Sequence, residues 1–114
     1  MNETLCRQLV KRRAVAWDPE ADEHGTFFPC ECCGVWTNAY EMHHRKFRSR
    51  GGLWTPANII LLCPMCHDNA TNERPGAWNL NVASHEDPSA TAIKLWYASK
   101  PVLLTDDGDW RFAA

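Results

Sequence analysis

The sequence predicts a small α+β fold built from a short N-terminal helix, a metal-stapled core and a C-terminal β-meander, and three observations predict it. Leu5, Leu9 and Val10 recur near helical spacing within residues 3–13. Two C-x2-C pairs, Cys30 with Cys33 and Cys63 with Cys66, bracket a segment of short extended runs. Beyond residue 75, apolar runs alternate with turn residues. A chain of 114 residues argues for a single domain, 1–114. Its parts are residues 1–26 (helix and acidic loop), 27–74 (knuckles and core) and 75–114 (β extension).

In chain order, residues 3–13 place Arg7, Lys11, Arg12 and Arg13 around the apolar positions, a basic helix that ends before Trp17-Asp18-Pro19. Residues 18–26 are acidic and loop-like. From Phe27 to Cys66 the order is knuckle, extended segment, polar loop, extended segment, knuckle. Asp68 to Arg74 suits a short helix stopped by Pro75-Gly76. Ala92–Tyr97 and Val102–Thr105 read as strands, and Asp107-Gly108 as a turn before Trp110–Phe112.

Hydrophobic residues make up 45% and charged residues 23% of the chain, which excludes disordered, collagen-like and coiled-coil classes. The longest apolar run, Ile59 to Cys66, is interrupted by Pro64, and the N-terminus has no apolar leader core. Neither membrane insertion nor secretion is expected, and the expected location is cytoplasmic. The formal net charge is −2, yet residues 43–50 carry four fixed positive charges and no acid. The tail from residue 75 holds five acids against three bases. A local basic site on a mildly acidic body follows.

Five of the six cysteines lie in two tight clusters, which favours a metal over disulfides. Tetrahedral zinc takes four thiolates most readily as two chelating pairs, and Gly34 offers a positive φ in the first turn. Cys32 also makes a C-x-C pair with Cys30; symmetry with the second knuckle favours Cys33. Cys6, alone on the helix, reads as an apolar packing residue. The 29 residues from Gly34 to Leu62 exceed a simple zinc ribbon, so something is inserted between the knuckles.

That insertion carries His43-His44 and Asn58, with His67 directly after Cys66. The segments Glu41-Met42-His43-His44-Arg45, Pro56-Ala57-Asn58-Ile59-Ile60-Leu61-Leu62 and Cys63-Pro64-Met65-Cys66-His67 resemble the HNH endonuclease family over residues 30–74. The tail, with Asp87-Pro88 and the Leu103–Trp110 segment, resembles small HNH proteins of actinobacteria and their phages. The resemblance implies a zinc-stabilised ββα-metal (HNH/His-Me finger) fold that hydrolyses DNA phosphodiester bonds, with nicking as the elementary act. It implies His43 and His67 as ligands of a catalytic divalent ion, His44 as general base and Asn58 as the residue that holds the loop so that His44 keeps its aim.

Phosphodiester hydrolysis needs a base, a cation and a grip on the strand. Neighbouring strand residues face opposite ways, so one of His43 and His44 binds metal and the other acts as base. Two neutral imidazoles favour Mn²⁺, Ni²⁺, Co²⁺ or Zn²⁺ over Mg²⁺. A third protein ligand is not assigned; Thr71 and Asn72 stand where relatives often supply one. Arg45, Lys46, Arg48 and Arg50 are expected phosphate contacts, with Gly51-Gly52 allowing close backbone approach. The helix residues Arg7, Lys11, Arg12 and Arg13 read either as a second phosphate contact or as an exposed face. Glu41 either orients His43 or lies exposed. The tryptophans read as packing residues, Trp54 alone being placed to wedge or stack a base.

The expected partner is DNA, without membrane, together with a homodimer or phage packaging machinery. A rival reading is a non-catalytic zinc-knuckle nucleic-acid-binding accessory protein, for example in phage DNA packaging. Intact His44 and His67 favour the enzyme. A redox sensor at Cys32 is a third reading, resting on one cysteine.

Overall fold

The computed structural model describes residues 1–73 and 80–114. Helix α1 spans Glu3–Val15. Asn2 caps it by accepting from Leu5 N at 2.8 Å, an interaction that contributes about 1 kcal/mol. Glu3 in the first turn and Arg12 and Arg13 in the last complement the helix dipole. The short strands β1 (Phe28–Pro29) and β2 (Trp36–Thr37) pair antiparallel around the first knuckle. Strands β3 (Glu41–His44) and β4 (Ile59–Leu62) form an antiparallel hairpin in which His43 lies opposite Ile60 and His44 opposite Ile59. Helix α2, Pro64–Thr71, follows at once.

All four residues of β4 are buried, because each of its faces meets a different core. Ile60 and Leu62 join Ala70 of α2 and Leu80, Ile93, Leu95, Val102 and Leu104 of the tail. Ile59 and Leu61 join Cys6, Val10 and Ala14 of α1 and Phe28. The hairpin is therefore the middle layer between α1 and α2, which explains why this strand is an unbroken apolar run. The buried Cys6 is a packing residue in the α1 core.

A buried ion pair connects these parts. Arg13 is 2% and Glu31 0% exposed. The guanidinium donates to Glu31 Oε2 from Nε and to Oε1 from Nη2, both at 2.9 Å. It also donates to Pro56 O at 2.7 Å and Ile59 O at 2.6 Å. Glu31 accepts further from Leu61 N at 3.0 Å and Tyr97 OH at 2.9 Å. Burial and the Glu31 carboxylate together push the Tyr97 phenol well above its ordinary pKa. Arg13 is thus neither a phosphate contact nor an exposed helix residue. It sits on the inward stripe with Cys6 and Val10, and its charge is matched inside the protein.

The C-terminal meander is smaller than the sequence predicts. Strands β5 (Val102–Leu104) and β6 (Trp110–Phe112) form a hairpin, but the expected strand over Ala92–Tyr97 contributes only the bridge of Ile93 to Val102. Trp96 N instead donates to Glu31 O at 3.1 Å, so this segment leaves the sheet to close over the first knuckle. Helix α2 also starts earlier than expected, at Pro64 inside the second knuckle, with Cys63 as its N-cap. The expected helix end at Arg74 and the Pro75-Gly76 stop fall outside the described residues, as does Trp78. Among the described residues no helix is long and apolar enough to cross a membrane.

Replacing Arg13 by Met strands a buried carboxylate, so urea unfolding of the zinc-loaded protein is expected to show a loss of about 3–5 kcal/mol. The double variant Arg13→Met/Glu31→Leu is expected to recover part of it. A double variant less stable than Arg13→Met would contradict the pairing.

Candidate functional site

The two knuckles meet at one point. The sulfurs of Cys30, Cys33, Cys63 and Cys66 all lie within 4.8 Å of one another, and Cys33 Sγ stands 3.8 Å from Cys63 Sγ. Four thiolates at about 2.3 Å from a tetrahedral zinc are about 3.8 Å apart, so the cluster fits a structural zinc. Both turns are built for it. Gly34 takes φ +83° and its N–H returns to Cys30 O at 2.8 Å. A Cβ there would meet the Trp96 indole at 2.8 Å, so only glycine fits. In the second knuckle Cys66 N donates to Cys63 Sγ at 3.4 Å. Cys32 stays outside the cluster and is half-buried, and its thiol is pushed up chiefly by burial.

The hairpin and α2 then gather the histidines. His43, His44 and His67 line one cleft of about 250 Å³ together with Met42, Phe47, Arg48 and Thr71. His43 faces the α2 side, and its ring centre stands 5.4 Å from that of His67 at 73° between planes. An ion about 2.1 Å from one nitrogen of each ring places imidazole centres about 5 Å apart, so the pair fits a shared divalent ion. Burial pushes His43 down to about 4, which keeps it neutral and able to donate a lone pair at physiological pH.

His44 belongs to the other face of β3. Its ring meets the Trp54 indole edge-on at 4.6 Å, and Arg7 lies over that indole at 4.9 Å. Its Nε2 is shielded from solvent and has no hydrogen-bond partner among the described residues. Burial, then Arg48, lower its pKa. The expected opposition of His43 and His44 holds for their packing, yet both line the same cleft.

Asn58 is 2% exposed and ties the loop that joins β3 to β4. Its Oδ1 accepts from Lys46 N at 2.7 Å, and its Nδ2 donates to Leu53 O at 3.0 Å and Lys46 O at 3.2 Å. Gly52 packs so tightly here that a Cβ would stand 1.7 Å from Lys46 O. This glycine therefore serves the loop's own backbone, not the approach of a phosphate.

The basic run divides. Arg45 is 0% exposed and donates to Ala57 O at 3.2 Å and to Pro88 O and Thr91 O at 2.8 Å. It fastens the tail to the core and is not a phosphate contact; on a strand of period two it shares the inward face of His43. Arg48 lines the cleft, Arg50 is exposed over the Phe47 ring at 5.1 Å, and Lys46 is half-buried. On α1, Arg7 pairs with Glu3 and Arg12 with Glu23 at the surface. Trp54 is half-buried against His44, so it supports that imidazole instead of standing free as a wedge. Glu41 is exposed. The residue that meets His43 is one the sequence reading missed: Asn81, whose Oδ1 lies 2.6 Å from His43 Nε2.

Residues 30–73 match the family model of the HNH endonucleases, a span that holds both cysteine pairs, His43, His44, Asn58 and His67. The resemblance read from the motifs is thereby borne out over this segment. No curated protein and no solved structure matches the chain.

One tightly bound zinc per chain is expected by elemental analysis, and Cys63→Ser is expected to lose it and unfold at lower urea. A wild-type protein that folds equally well after complete zinc removal would contradict a structural role.

Proposed function

We propose that this HNH domain makes the protein a metal-dependent DNA endonuclease that nicks one strand at a time. One observation carries the proposal: three imidazoles converge in a single cleft beside Arg48, two of them spaced to share an ion and the third with an uncommitted nitrogen. His43 and His67 would hold a divalent ion. When bound, that ion supplies positive charge against the phosphorane and the departing 3′ oxygen. His44, neutral because burial and Arg48 disfavour its charged form, takes the proton from the attacking water. Trp54 keeps its ring from turning away, and Asn58 holds the chain that follows it. Arg48, with Arg50 and Lys46 along the same loop, meets phosphate oxygens of the strand.

The cleft contains one base, so a double-strand break requires a second copy or a second event. The two-imidazole donor set favours Mn²⁺, Ni²⁺, Co²⁺ or Zn²⁺ over Mg²⁺. Zinc-loaded protein is expected to nick supercoiled plasmid with Mn²⁺ or Ni²⁺ and poorly with Mg²⁺. His44→Ala is expected to slow nicking by about 100-fold or more while keeping its zinc and fold. Salt-sensitive plasmid binding without cutting under any of these ions would instead identify a nucleic-acid-binding module.

The acidity of the site gives an independent check. A base whose folded-state pKa is lowered stays deprotonated, and active, further into acid than a free imidazole. The acid limb of the nicking rate is therefore expected to have its midpoint below the ordinary value of 6.5. A midpoint above that value would assign the proton acceptor elsewhere.

A further inference from the structure

Asn81 lies beyond the family segment, against His43, and its two amide atoms are both committed. Its Nδ2 donates to Ala70 O in the last turn of α2 at 2.7 Å. Its Oδ1 is therefore the atom 2.6 Å from His43 Nε2. An amide oxygen only accepts, so the proton of this contact belongs to Nε2, and the lone pair of the neutral ring belongs to Nδ1. Nδ1 has no hydrogen-bond partner among the described residues. His43 is 3% exposed and its ring also packs edge-on against Phe47 at 6.1 Å, so it is held by contacts on more than one side.

We infer that Asn81 is a positioning residue for the histidine cleft: it fixes His43 as the Nε2–H tautomer and presents Nδ1 as the donor toward a divalent ion shared with His67. The inference rests on the ion-binding part of the proposed function and adds to it a residue from the C-terminal extension. One hydrogen bond sets the tautomer, and the other anchors it to the helix that carries His67. The two imidazoles are thereby referred to one rigid point. A histidine left to choose its tautomer would offer the ion a lone pair for only part of the time, and a freely turning ring would add an entropic penalty. The sequence separation explains why no local motif announces it: Asn81 lies 38 residues from His43 and 11 from Ala70.

The test uses zinc-loaded full-length protein and reads two quantities, neither of them cleavage. Nitrogen-15 NMR of the imidazoles reports the His43 tautomer directly, and calorimetry with Ni²⁺ reports ion affinity. Wild type is expected to show Nε2–H. Asn81→Ala is expected to mix the tautomers and weaken Ni²⁺ binding by roughly 10- to 100-fold, with structural zinc retained. Asn81→Asp keeps an acceptor beside His43 Nε2 but replaces the donor to Ala70 O with an oxygen, so it is expected to restore the Nε2–H tautomer and only part of the affinity. Nδ1–H in wild type, an unchanged tautomer in Asn81→Ala, or a changed tautomer with undiminished Ni²⁺ affinity would each overturn the inference. A wild type that binds Ni²⁺ with the expected tautomer yet leaves plasmid intact would support the inference while striking only the nuclease reading.

Discussion

The ion pair of Arg13 and Glu31 is the contact on which the other parts depend. Glu31 sits inside the first knuckle, between two of the cysteines that gather at the metal site. Its carboxylate reaches α1 through Arg13, β4 through Leu61 N and the tail through Tyr97. Two charges with almost no solvent are costly to bury, and the cost is offset here because every strong donor around them has an acceptor. The contact at Leu61 lies two residues before Cys63, so the same carboxylate sets the separation of the two knuckles. A small domain with short strands gains rigidity from such a staple and from zinc, where a larger protein would rely on apolar area.

Rigidity at the knuckles is transmitted to the histidine cleft by register. Pairing of Glu41 with Leu62 fixes His43 and His44 two and three residues further from the second knuckle along β3, while Cys63 caps the helix that carries His67. The imidazoles thus descend from one strand and one helix of the frame that gathers the four cysteines. Arg45 extends this frame on the inward face, fastening Pro88 and Thr91 to the loop before β4. Charge left over for a ligand is concentrated at Arg48 and its exposed neighbour Arg50, next to His44. In the proposed reading, a structural metal holding the frame and a cleft of imidazoles at its edge separate folding from chemistry.

The legible parts of this protein were those with local signals. Two C-x2-C pairs, the His43-His44 doublet, Asn58 and the apolar run of β4 each declare themselves within a few residues, and the structure brings them together. Arg13 and Arg45 were misread because both stand in basic runs, and charge runs are usually solvated. Their partners, Glu31 and distant backbone carbonyls, are 12 or more residues away. A signal did exist. Position 13 continues the inward stripe of Cys6 and Val10, and position 45 continues the inward alternation of His43. Asn81 had no such signal, since its meaning comes from a contact across the fold. The segment Ala92–Tyr97 alternates like a strand, but closure over Gly34 and Glu31 outweighs its pairing with Val102–Leu104.

The most direct test of the account is where a second metal binds. Crystals of zinc-loaded protein soaked in Mn²⁺ and measured at the manganese edge should show an anomalous peak between His43 and His67, within reach of both rings and beside His44, separate from the zinc at the four sulfurs. A cleft without manganese, or manganese bound only at surface carboxylates, would contradict the assignment of this cleft as a catalytic centre.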